Sequence, residues 1–167
     1  MDDRALVERQ LGREPRAFLR VAARCPFGAP AVTLQAPYDS AGDPFPTTFY
    51  LTCRYLVAAV ARIEASGGIE RWGELAATDE RLAKSLQEAT EEQRALRHEL
   101  ADGRVGQEGG ASLALGIGGT AKPGRLKCLH AHVAFALARP GYELGERIHA
   151  EVVPPWPERC CTLDASG

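Results

Sequence analysis

The chain lacks most of the features that would place it quickly. No stretch approaches the roughly 18 consecutive apolar residues that a membrane-spanning helix needs. There is no surplus of positive charge. Lys and Arg number 20 against 22 Asp and Glu, a formal net charge of -2, so the basic face that binds nucleic acid is not expected. Met1-Asp2-Asp3-Arg4 starts acidic with no apolar segment behind it, so a secretory leader is not expected and the expected location is cytoplasmic. A paired Cys-x-x-Cys knuckle is missing, as is the Gly-Lys-Ser/Thr run of a phosphate loop. No internal repeat is present.

What is there reads as a globular protein. Of 167 residues, 45% are hydrophobic and 25% charged, enough for one domain with a substantial core. The expected division is a domain over 1–152 and a Pro-rich extended tail over 153–167. Leu6, Val7 and Leu11 share a face of a short helix over 3–11, stopped by Gly12. Three strand candidates follow, at Ala17 to Arg24, Ala31 to Gln35 and Thr47 to Cys53. A Pro- and Gly-rich loop, 37–46, stands before the third, and its Pro44-Phe45-Pro46 is a stiff approach to Cys53. Leu56, Val57, Val60 and Ile63 then recur at helical spacing up to Gly67-Gly68. A charged helix is expected from Thr78 to about Leu100, with a thin apolar stripe suited to docking on the core or on a partner. Residues 101–125 are Gly-rich and too long for a turn. A helix is expected from Arg125 to Ala138, and a last amphipathic segment from Leu144 to Val152. Strands first and helices afterwards indicate an α+β fold: a small antiparallel sheet of about three strands in the N-terminal half, packed by helices from the rest.

The chemistry concentrates in Lys127-Cys128-Leu129-His130-Ala131-His132. On a helix over 125–138, Cys128 and His132 are four apart and share a side, while His130 faces away. A thiolate and an imidazole at that spacing supply two corners of a tetrahedral zinc site. Cys25 and Cys53, each closing a predicted strand, are the candidates for the other two, giving Cys25, Cys53, Cys128 and His132. An all-thiolate set drawing on Cys160 or Cys161 would suit zinc or an iron–sulfur cluster. Five cysteines, odd in number and widely spaced, do not suggest a structural disulfide framework. Two other readings stand beside the metal. The cysteines are small buried packing residues, or Cys128 is a nucleophile with His130 or His132 as its base. The loop before the helix, with Gly118, Gly119, Thr120 and Lys122, is a candidate anion cradle or simply a connector.

Arg24-Cys25-Pro26-Phe27-Gly28, then Pro44-Phe45-Pro46-Thr47 leading to Tyr50-Leu51-Thr52-Cys53, then Lys127 to His132, resemble in that order an uncharacterised bacterial family, domain of unknown function 501. The resemblance covers about residues 4–152. It implies no activity. It implies that some relatives carry His at the position of Cys53, an exchange that a zinc ligand tolerates. Its gene neighbourhoods, a septum-formation initiator and an exopolyphosphatase, imply at most a division- or polyphosphate-related partner. The functional expectation is a zinc-stabilised domain that binds a partner or small ligand. A thiol- or metal-assisted hydrolase acting on a phosphorylated or acyl compound is the alternative.

Overall fold

Asp2 opens the first helix, α1 (Asp3–Leu11), by accepting the Ala5 N–H at 2.8 Å, and Gly12 closes it in the left-handed conformation. The structure, a computed structural model, describes residues 2–122 and 124–162. After α1 come β1 (Phe18–Arg24), β2 (Pro30–Gln35) and β3 (Phe49–Leu51), an antiparallel sheet in the order β1-β2-β3. The central strand β2 is buried at every residue. Its polar members pair with each other, the Gln35 amide nitrogen donating to Thr33 Oγ1 at 2.8 Å. β3 is shorter than the expected Thr47 to Cys53. Pairing nonetheless continues past both its ends, through Gln35 N–H to the Thr48 carbonyl and Thr52 N–H to the Ala31 carbonyl.

Five helices follow: α2 (Arg54–Ala65), α3 (Gly68–Thr78), α4 (Glu80–Ala101), α5 (Leu129–Ala138) and α6 (Glu143–Ala150). The architecture is α+β, as expected. α3 is an addition to the sequence reading, which ended its helix at Gly67-Gly68. Gly67 does turn the chain, at φ +84°, but a new helix starts at once and buries Trp72 and Ala76. α4 matches the predicted charged helix, with Asp79 as its cap accepting from the N–H groups of Arg81 and Leu82. The Gly-rich stretch is locally ordered. It holds two 3-10 turns, Ala111–Ala114 and Ile117–Gly119, and the second is clamped by Gly116 N–H donating to the Thr120 carbonyl at 2.8 Å.

α5 carries apolar side chains all round, with His130 and His132 its only polar residues, so it must be enclosed. The sheet, α2 and α6 surround it, and Leu129, Val133 and Ala134 have no exposed surface. Its Phe135 ring meets Phe49 and Tyr142 edge-on, at 5.3 and 5.2 Å. α6 packs this close because residue 145 is glycine; a Cβ there would lie 2.4 Å from the His132 carbonyl oxygen.

The segment after α6 runs against the body. Tyr55 donates to the Pro154 carbonyl at 2.6 Å and Gln10 to Thr162 Oγ1 at 2.9 Å. The rest of the expected tail, 163–167, lies outside the described residues. Among those described, no helix is long and apolar enough to cross a membrane.

Candidate functional site

The helix carrying the Cys/His cluster starts later than its periodicity suggests. Neither Lys127 nor Cys128 can cap a helix with its side chain, and Cys128 stands just outside α5 in extended backbone, at φ -151°. The cap comes from elsewhere in the chain. Glu64, in the last turn of α2, accepts the Leu129 N–H on Oε2 at 2.8 Å. The anion at this helix start is thus the protein's own carboxylate.

That change of register decides which residues meet. With Cys128 outside the helix, the four-residue spacing to His132 no longer puts the two on one side. Cys128 turns instead to His130, whose Nδ1 is 3.7 Å from its Sγ. The same Nδ1 is 3.2 Å from Glu64 Oε1. Among the described residues, Glu64, Cys128 and His130 are the one group of three whose donor atoms all lie within 4.8 Å of one another. All three are half-buried.

Two of the donors are oriented from behind. Glu64 is fixed by its bond to Leu129. His130 is fixed by Nε2, 3.0 Å from the Val57 carbonyl, an acceptor that makes Nε2 the donor. Burial alone would lower the His130 pKa, but hydrogen bonds to Cys128 and to the Val57 carbonyl, with the charges of Cys128 and Glu64, outweigh it and raise the value to about 9. As arranged, the site holds positive charge at Nδ1.

The remaining predicted ligands are elsewhere. His132 is fully enclosed, its Nδ1 2.7 Å from the Tyr142 hydroxyl, and burial lowers its pKa to about 4. It belongs to the core between α5 and α6. Cys53 is buried at the start of α2, with its Sγ 3.8 Å from that of Cys161. Cys25 is half-buried at the turn after β1, its backbone N–H bonded to the Ala29 carbonyl at 2.9 Å. The expected set of Cys25, Cys53, Cys128 and His132 is therefore divided among separate places, and only Cys128 belongs to the gathered group. Sequence reasoning missed Glu64 because a carboxylate at the end of one helix says nothing about the start of another.

Beside the group lies a cavity of about 530 Å³. Phe49, Leu51, Val57 and Leu11 give it apolar walls, and Cys128, His130 and Gly118 close one part of it. Gly118 sits at φ +75° with its Cα against α5, and an added Cβ would fall 3.6 Å from Cys128 Cβ. Of the other candidate anion residues, Gly119 (φ +76°) backs onto Pro46, and Thr120 Oγ1 bonds the Lys122 backbone at 3.2 Å. Lys122 itself is exposed, on a separate depression shared with Arg125 and Lys127.

The arrangement argues against one chemistry. A thiol–imidazole–carboxylate relay needs the nucleophile on one ring nitrogen and the carboxylate on the other. Here Cys128 and Glu64 share Nδ1, and Nε2 is taken by the Val57 carbonyl. Donors converging on one point are what a metal ion requires.

Comparison with known protein families finds a match over most of the chain. The family described as "Protein of unknown function (DUF501)" covers residues 21–150. No curated protein and no solved structure matches the chain.

Proposed function

The chain belongs to the DUF501 family, and from that premise we propose that it is a zinc-binding protein that takes a small ligand into the cavity beside Cys128 and His130. The observation that carries this reading is the convergence of Glu64 Oε1, Cys128 Sγ and His130 Nδ1. Thiolate, imidazole and carboxylate together suit zinc better than magnesium or calcium, which prefer oxygen alone. The second interactions fit as well. A metal-bound histidine ordinarily donates its other N–H to a backbone carbonyl, as His130 Nε2 does to Val57. The positive charge that these groups favour at Nδ1 is the charge a zinc ion would supply at the same point.

Three protein donors leave a position of a tetrahedral ion for water or a ligand. Two of them, Cys128 and His130, line the cavity, so a molecule held there would reach the ion. Among the described residues, the lining contains no carboxylate and no second imidazole to serve as a general base or acid. Ligand binding is accordingly favoured over hydrolysis. An iron–sulfur cluster is disfavoured, since a single cysteine stands in the group.

The test is metal content together with cobalt substitution. About one zinc per chain is expected by elemental analysis. The cobalt form should show a thiolate-to-cobalt charge-transfer band that Cys128→Ser removes and Cys53→Ser retains. A protein purified with zinc supplied throughout that carries none, and takes up no cobalt, would refute the reading.

A further inference from the structure

A second pair of reactive groups lies outside the candidate metal centre. Cys53 Sγ and Cys161 Sγ approach to 3.8 Å, van der Waals contact between two free thiols 108 residues apart in the chain. The approach is supported on both sides. Cys53 opens α2, with its carbonyl accepting the Val57 N–H at 2.9 Å, and is only 2% exposed. The residue after Cys161, Thr162, is buried and bonded by Gln10 at 2.9 Å. Earlier in the same segment, Tyr55 holds Pro154 and His149 meets the Trp156 ring edge-on at 5.9 Å. The segment is therefore fastened before and after Cys161, and the two sulfurs face each other across it.

We propose that Cys53 and Cys161 form a reversible disulfide, a covalent modification site that straps the segment after α6 to the start of α2. The bond needs a sulfur separation of about 2.05 Å, a closure of about 1.8 Å that side-chain rotation can supply. The oxidant is a low-molecular-weight disulfide. Cys161, half-buried and thus the accessible partner, attacks it and forms a mixed disulfide, releasing one small thiol. Cys53 then attacks the Cys161 sulfur, and the second small thiol leaves. Two protein thiols are oxidised and the small disulfide is reduced to two thiols, which carry the two protons. Burial pushes the Cys53 thiol up to about 12, so the second step quickens with pH. The strap bears on the cavity: Thr52 and Arg54, on either side of Cys53, line it, and so does Gln10, which holds Thr162. The bond itself does not depend on the zinc reading.

The full-length native protein should be incubated with oxidised glutathione, then alkylated and mapped by peptide mass spectrometry. The expected product is a chain lighter by two hydrogens, with a peptide linking Cys53 to Cys161, reversed by dithiothreitol. Its thermal midpoint should rise by roughly 10 °C, as expected for closing a long loop. Cys160→Ser should retain the link and Cys161→Ser should lose it. Glutathione remaining on Cys161, a link from Cys160 to Cys161, a link between two chains, or a fully reduced protein would each overturn the proposal.

Discussion

Glu64 caps a helix to which it does not belong. Its Oε2 accepts the Leu129 N–H at 2.8 Å, while Oε1 stays 3.2 Å from His130 Nδ1. One carboxylate thus fixes the start of α5 and completes the donor group. The two duties can be separated. Glu64→Gln keeps an oxygen for the Leu129 N–H and should change stability by less than about 0.5 kcal/mol, while weakening metal affinity at least about tenfold. Glu64→Ala loses both and should cost about 1–2 kcal/mol in the metal-free protein. Urea unfolding with and without zinc measures each. An alanine variant as stable as the parent would show that α5 does not depend on the Glu64 cap.

His132 makes folding sensitive to acid. Its value in the folded protein, about 4, lies below the ordinary 6.5 because the ring is fully buried. Above pH 6.5 the ring is neutral in both folded and unfolded chains and costs nothing. As pH falls from 6.5 towards 4 the unfolded chain takes up the proton and the folded one does not, so stability drops, by up to about 3 kcal/mol. The slope of stability against pH over that window should flatten in His132→Gln. An unchanged slope in the variant would assign the acid sensitivity to other groups.

The contact of α5 with α6 tolerates no side chain at position 145. A Cβ would stand 2.4 Å from the His132 carbonyl oxygen and 2.8 Å from Ala136 Cβ. Gly145→Ala should therefore cost about 1–3 kcal/mol through forced separation of the helices, a fall of roughly 2–12 °C in the thermal midpoint. Gly73→Ala, on an open face of α3 with nothing within 4 Å of the added atom, should instead hold or raise the midpoint, because alanine favours the helix. Equal effects at the two positions would contradict this packing.

The strands, α1, α2 and α4 were legible because each carries its signals within itself: alternating or helical apolar spacing, polar caps around Asp79, Gly12 as a stop. α3 was hidden by a doublet with two uses. Gly67 ends one helix, but Gly68 lets the next begin hard against Ile63, where a Cβ would come within 2.6 Å. The candidate site was legible as a stretch of chain and not as a set of residues. Cys128 and His130 lie in the motif, yet which of His130 and His132 joins Cys128 depends on where α5 begins. A residue 65 positions away sets that start. Local spacing cannot report a cap supplied by tertiary structure.

The Gln10–Thr162 hydrogen bond joins residues 152 apart, and Gln10 also lines the cavity. On a ribosome this bond cannot form until Thr162 has left the exit tunnel, long after α1 and the sheet have emerged. Until residues 118–131 emerge, the apolar side chains of β3 and α2 that line the cavity stand uncovered on the nascent chain. A chain truncated before Thr162 would keep Gln10 tied to the Pro30 carbonyl at 2.8 Å and lose its tie to the segment after α6, so the fastening of that segment onto α1 is a late event in biogenesis.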